Sequence, residues 1–258
     1  MKLLEGKKIL VAGVANEQSL AWGIAKGLHA AGAELAFSCV EGNVRRVKKL
    51  IPQVGSDLII PCNVQKDEDI SSLFKTLSDR WDGGLDGIVH AIAYARYEDL
   101  EGEFIQTPRD GFWLATDVSA YSLVAMAREA RPLLKKKGGS IITLTFGASH
   151  QVVPNYNVMG PAKAALESSV IYLAYDLGKD GIRVNMISAG VVRTASSAAI
   201  SGLHRAIEYL EKNNPIGRNI TQDDLGGPAV FLMSDMSKAM TGITLHVDGG
   251  ASILVSAS

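Results

Sequence analysis

The stretch "KKILVAGVANEQSLAWGIAKGLHAAGAELAFSC", residues 7–39, carries the decision about the fold. "KKILVAG" (7–13) is a short apolar run closed by glycine, the pattern of a buried strand. "SLAWGIAKGLHAAG" (19–32) follows with helical periodicity and is stopped by Gly32. "AELAFSC" (33–39) is a second buried strand. Strand, helix and strand in this order make a crossover unit, which joins parallel neighbours and turns right-handed.

The alternation continues outward to the C-terminus. "NVRRVKKLI" (43–51) reads as a short basic helix that Pro52 helps to end, and "SDLIIPC" (56–62) as a third strand. "DEDISSLFKTLSDRW" (67–81) is a helix with an acidic first turn, which suits its dipole. "LDGIVHAIAYA" (85–95) is a fourth strand running into a loop, and "RDGFWLATDVSAYSLVAMAREARPLL" (109–134) a long helix. "GGSIITLTF" (138–146), a helix reaching about Lys179, "GIRVNMIS" (181–188) and "ITLHVDGG" (243–250) complete the series. No linker, repeat or low-complexity tract interrupts it. The expectation is an α/β fold, one doubly wound Rossmann-type domain over residues 1–258. Its seven-stranded parallel sheet has order 3-2-1-4-5-6-7 and helices on both faces.

Composition narrows the class of function. The chain has 258 residues, 47% apolar and 21% charged, with a formal net charge of −1 and no long run of either sign. Nucleic acid or an anionic membrane would require a concentrated basic face, so neither is an expected partner. The N-terminus has no signal-peptide pattern, no apolar run is long enough to span a bilayer, and Cys39 and Cys62 are too few for a disulfide scaffold. The expected location is the cytoplasm. His29, His90, His204 and His246 show no metal-ligand spacing, so no metal is expected.

Ligands of such sheets bind at the carboxyl ends of the strands, where strand order reverses. The first strand lacks the G-x-G-x-x-G pattern and offers Gly13, Ser19 and Gly23 instead. Gly13 permits a close backbone approach, Ser19 is placed to cap a helix whose free amides face pyrophosphate, and Gly23 to bring that helix onto the sheet. A plain strand–turn–helix of small residues fits the same stretch. After the second strand, Glu41 suits a ribose hydroxyl and repels a 2′-phosphate, which favours NADH; Arg45 and Arg46 do the opposite and keep NADPH open. Asn63 and Val64 end the third strand, where an adenine ring belongs. Ala91 and Ala93 leave room for a nicotinamide ribose after the fourth.

"PNYNVMGPAK" (154–163) sets Tyr156 and Lys163 seven residues apart. On one helix both would share a face, about 10 Å apart along the axis, against about 6 Å for a spacing of four. A phenol is a proton donor at neutral pH, and a lysine ammonium can hold ribose hydroxyls. Pro161 fits such a helix only in its first turn. Taken alone, Tyr156 reads equally well as a half-buried core residue.

The surroundings alter that balance. "ILVAGVANEQSLAWGIAKGLHAAGAELAF" (9–37), "VHAIAYA" (89–95), "VPNYNVMGPAKAALES" (153–168), "IRVNMISAGVVRT" (182–194) and "MTGITLHVDGG" (240–250) occur in an order and spacing that resemble one family over essentially the whole chain. That family is the bacterial enoyl-[acyl-carrier-protein] reductase branch of the short-chain dehydrogenases/reductases; "YNVMG" with Tyr-x6-Lys is its most specific piece. The resemblance implies hydride transfer from NADH or NADPH to a trans-2-enoyl thioester of acyl carrier protein or CoA, in fatty-acid elongation. It implies Tyr156 as the donor to the enolate oxygen and Lys163 as the ribose-binding group. Gly13, Ser19, Leu20 and Ile92 map onto cofactor contacts, Val192 and Thr194 flank nicotinamide and phosphates, and Ala95 lies near the thioester. Residues 193–206 correspond to a substrate-binding flap, and a homotetramer built on the helices near 110–135 and 157–179 is implied. Departures from the pattern are Phe146 for a second tyrosine, Val40 for a polar residue, Asn63 for Asp, Val191 for proline and Ala91 for serine. They keep two other readings open, a reductase of another enone or carbonyl compound and a catalytically weak nucleotide sensor.

Overall fold

The computed structural model describes residues 2–82, 84–194, 197 and 200–254. Seven strands form one sheet: β1 (Lys8–Ala12), β2 (Glu34–Cys39), β3 (Ile59–Pro61), β4 (Gly87–His90), β5 (Ser140–Thr145), β6 (Arg183–Ala189) and β7 (Thr244–Val247). Their order is β3-β2-β1-β4-β5-β6-β7, as the sequence pattern predicts, and every pairing is parallel. The order reverses at β1, which pairs with β2 on one side and β4 on the other. By the general rule for such sheets, the ligand crevice belongs at the carboxyl ends of β1 and β4.

β1 shows why the sheet is buried on both faces. Leu10 and Ala12 enter one apolar cluster with Ile88, Ile141 and Met186; Ile9 and Val11 enter the other with Val89, Ile142 and Ile187. Side chains alternate across a strand, so a continuous apolar run fills both layers. Each fully buried Ile, Leu or Val contributes about 1.5–3 kcal/mol relative to exposure.

Helices α3 (Asp67–Arg80), α5 (Ser122–Leu134) and α6 (Met159–Gly178) cover the first face. The second is covered by α1 (Leu20–Ala30) and by Gly226–Met233, numbered α8 below. The basic helix after β2, α2, is Glu41–Val47, two residues ahead of the expected start. Pro52 does not end it but opens a separate 3₁₀ turn, Ile51–Val54.

Two further expectations need correction. Gly23 does not face the sheet: a Cβ there would overlap the Gln222 carbonyl, and one at Gly27 would overlap Gly226. These glycines let α1 approach the turn Gln222–Leu225 and α8 (Gly226–Met233). The long helix of 109–134 is also not uniform. It consists of α4 (Arg109–Thr116), a π-helical turn (Asp117–Tyr121) and α5. A further helix, α7 (Leu203–Asn213), buries Leu203, Ile207 and Leu210.

Candidate active site at the carboxyl edge of the sheet

All the residues singled out above for a ligand follow the carboxyl ends of β1 to β6. Gly13 leaves β1 with φ +107, and a Cβ there would overlap the carbonyl of Ala91 in the loop after β4. Only glycine allows that approach. Ser19 does stand at the N-cap of α1, but it does not cap it. Its Oγ accepts from the amides of Ala15 (3.0 Å) and Asn16 (3.1 Å), which folds the preceding loop. The first amides of α1 therefore have no side-chain acceptor from Ser19, the arrangement that favours an anion. Leu20 begins the helix and is half-buried.

Asn63 is engaged locally. Its Oδ1 accepts from Gln65 N at 3.1 Å, while its own N–H donates to Asp69 Oδ2 at 2.9 Å. Its side chain keeps the amide donor and a second lone pair on Oδ1 for an adenine, and Asp69, which fixes this turn, has no signature in sequence. Val64 is buried and Ile92 half-buried. Val192 is buried, and Thr194 N donates to Ser197 Oγ at 2.8 Å. Residues 195, 196, 198 and 199 of the expected flap lie outside the described residues.

β5 ends against both members of the Tyr–Lys pair. The Lys163 ammonium, 6% exposed, donates to the Leu144 carbonyl at 2.7 Å. Two residues on, the Phe146 ring meets Tyr156 edge to face, centroids 5.3 Å apart. Tyr156 and Ala95 pack together on a small cluster of Leu100, Ala115, Val158, Met159 and Ala162. Tyr156 is not on the helix, contrary to the shared-face expectation: α6 begins at Met159, and Tyr156 sits in the turns before it. Asn155 (φ 61) and Asn157 (φ 29) on either side take left-handed conformations, which a helix cannot continue. Pro161 is the third residue of α6, inside the tolerant first turn.

The electrostatics follow from burial. Burial lowers the Lys163 ammonium to about 8, with Glu167 opposing the shift. Burial holds the Tyr156 phenol well above the usual tyrosine value, so it is a neutral donor. Cys39 and Cys62 are both buried and pushed up to about 11, chiefly by burial, which keeps them as inert thiols. Glu167 lies one helical turn beyond Lys163 and accepts from Thr145 Oγ1 at 2.5 Å. His150 stands 3.8 Å from its other oxygen. Helical spacing from Lys163 was the one signal that could have pointed to Glu167.

Behind the site, the π-helical turn directs Ser119 and Ser122 at the end of β4. Ser119 Oγ accepts from Tyr94 N at 3.0 Å, and Ser122 Oγ lies 2.8 Å from His90 Nε2. His90 is fully buried, with Thr143 Oγ1 2.9 Å from its other nitrogen, and burial holds it down to about 3. A neutral imidazole between two hydroxyls joins β4, β5 and α5 under the crevice.

Known proteins share this fold. The family model described as enoyl-(acyl carrier protein) reductase matches residues 13–252. The chain belongs to that family. It is 51% identical to the Aquifex aeolicus enoyl-[acyl-carrier-protein] reductase [NADH] FabI, over 98% of this chain and 94% of that one. Against the Bacillus cereus reductase of the same description, identity is 47% over 98% of this chain and 100% of the other. The crystal structure of the Aquifex aeolicus enoyl-[acyl-carrier-protein] reductase (NADH) superposes with a TM-score of 0.94 at 50% identity, covering 98% of both chains. That of the Bacillus cereus enoyl-acyl carrier protein reductase with NADP+ and indole naphthyridinone superposes at 0.95, with 47% identity, over 99% of this chain and 100% of the other. As a member of the enoyl-acyl carrier protein reductase family, the chain fills the Phe146 position with a ring that packs on Tyr156 without a hydroxyl of its own.

Proposed function

We propose that this protein reduces the C2=C3 bond of a trans-2-enoyl thioester carried on acyl carrier protein, in fatty-acid synthesis, with a reduced nicotinamide dinucleotide. The observation that carries the reading is the end of β5: one strand terminus holds a buried ammonium at Leu144 and seats a neutral phenol at Phe146. Family membership and the relatives named for this reaction support it. The residues fit such a cofactor. Gly13 lets the loop after β4 close on the end of β1, Ser19 leaves the start of α1 without a side-chain cap, and Lys163 presents a buried cation nearby in the fold.

Once bound, the cofactor supplies a hydride to the β-carbon. The protein's part is to meet the negative charge that then builds on the thioester oxygen. Tyr156 donates a hydrogen bond to that oxygen, where a preorganised donor is worth most because water is excluded. Lys163 keeps further N–H donors beyond the one given to Leu144, and these hold the ribose hydroxyls. In this reading Gly13, Ser19, Leu20, Ile92, Val192 and Thr194 line the dinucleotide, Asn63 and Val64 the adenine, and Ala95 the thioester. The relatives' names favour NADH, as does the exposed Glu41 at the start of α2. Arg45 and Arg46, exposed in the last turn of that helix, keep NADPH as the alternative. No helix among the described residues is long and apolar enough to cross a membrane. We place the protein in the cytoplasm, as one domain over residues 1–258 that assembles into a homotetramer.

The test follows nicotinamide absorbance with a trans-2-enoyl thioester, NADH and NADPH in parallel. Oxidation that requires the thioester is expected. Tyr156→Phe should lower kcat about a hundredfold or more while nucleotide binding survives. An unchanged rate would remove Tyr156 from its role.

A further inference from the structure

The two residues flanking Tyr156 are the only non-glycine residues with positive φ among the described residues, Asn155 at 61° and Asn157 at 29°. Such backbone is rarely adopted by L side chains and persists where neighbouring groups enforce it. Here two other segments of the chain supply those groups. Asn155 Nδ2 donates to the Ser201 carbonyl at 2.8 Å, just before α7. Asn157 Nδ2 donates to the carbonyls of Glu101 (3.2 Å) and Gly102 (3.1 Å) in the loop after β4.

Those two segments are themselves joined. Ser201 Oγ and the Tyr97 hydroxyl both donate to Glu101 Oε1 at 2.6 Å. The hydroxyls of Ser201 and Tyr97 hold the Glu101 carboxyl below the usual carboxylate range, so it stays an acceptor at neutral pH. The result is a closed ring, Asn155 to Ser201 to Glu101 to Asn157, with Tyr156 between its two ends. Leu100 of the same loop belongs to the cluster on which the Tyr156 ring packs.

We propose that Asn155 and Asn157 are positioning residues for the reaction, which fix the Tyr156 phenol by tying its turn to residues 97–102 and 200–203. The inference rests on the reading of Tyr156 as the donor to the thioester oxygen. A reacting oxygen needs its donor within a few tenths of an ångström, and a turn with free ends cannot hold one so closely. The contrasting possibility is that asparagine serves only because it tolerates left-handed backbone. Glycine tolerates it as well and lacks the amide, so glycine separates the two.

The experiment compares the full-length protein with Asn155→Gly and Asn157→Gly, and with Asn157→Asp, which keeps the shape and loses the donors. Each variant should lose kcat about two- to tenfold, the worth of one net hydrogen bond. NADH affinity, read by fluorescence, should stay within about twofold. KM for the thioester should move less than kcat. In the protein without nucleotide, amide hydrogen exchange at residues 156–158 should accelerate together with exchange at 201–203 in Asn155→Gly, and at 101–102 in Asn157→Gly. Wild-type kcat in the glycine variants overturns the proposal, whether or not exchange accelerates. A parental protein that binds NADH yet reduces no enoyl thioester overturns the functional reading instead, and this inference with it.

Discussion

Lys163 is a cation in a place that disfavours one. Burial lowers it from the ordinary lysine value to about 8, while Glu167 one turn along α6 pulls the other way. Three other titratable groups border this region, His90 on β4, Tyr156 before α6 and His150 beside Glu167. His90 and Tyr156 are neutral at pH 7, so Glu167 is the compensating charge. Nucleotide affinity should therefore fall as pH rises through about 8 and the ammonium is lost. The fold responds in the opposite sense. Between the lowered folded value and the higher unfolded one the unfolded chain binds more protons, so the penalty for burying this charge fades as pH rises through that window. Fluorescence titration with NADH from pH 6 to 9.5 checks the first point. In Glu167→Gln the fall should move to lower pH, and an unmoved profile would discount Glu167. The Tyr–Lys pair itself was legible in sequence, since its spacing is written in the chain. Glu167 was reachable only through its helical spacing from Lys163, and the ring through Asn155 and Asn157 not at all, because hydrogen bonds to residues 101 and 201 leave no periodic trace.

At the scale of elements, strand and helix types followed from apolar periodicity, while helix ends and partners did not. Tyr156 falls outside α6 because two left-handed residues end the helical path ahead of Met159, and asparagine in sequence does not announce its φ. The π-helical turn between α4 and α5 is hidden for the same reason: one extra residue per turn hardly changes the apolar pattern, yet it aims Ser119 and Ser122 under the crevice. Gly23 and Gly27 were visible as small residues, but what they face belongs to a segment two hundred residues away. That packing yields a prediction. In Gly27→Ala the new methyl meets the Gly226 backbone, which has no side chain to swing aside, and α1 must shift. A loss of about 1–3 kcal/mol is expected, the usual cost of overpacking, less the small gain from removing a helical glycine. Denaturant unfolding measures it. A variant as stable as the parent would mean that α1 and α8 are not in close contact.

At the scale of the molecule, the sheet order was legible because parallel crossovers leave few topologies for this series of elements. The assembly is a different matter, and α6 carries the argument for it. Its inward side buries Leu166, Val170, Ala174 and Leu177, yet its outer side carries large apolar side chains as well, beside Ser168 and Asp176. Ile171 is 57% exposed, Tyr172 73% and Tyr175 86%. On the neighbouring π turn and α4, Tyr121 and Trp113 are exposed as well. A surface helix of a monomer keeps a mainly polar outer face, and a contiguous stripe of large exposed apolar side chains marks a candidate contact surface. Residues 171, 172 and 175 lie within one turn, so they form a stripe and not scattered contacts. Placing charge there costs little in a free chain and much in a buried interface, where neighbouring copies would bring like charges together. Tyr172→Glu combined with Tyr175→Glu should therefore reduce the mass in solution, read by light scattering, while each chain keeps its far-ultraviolet circular dichroism. A parent protein that runs at the mass of one chain would remove the tetramer, and the outer side of α6 would need another partner.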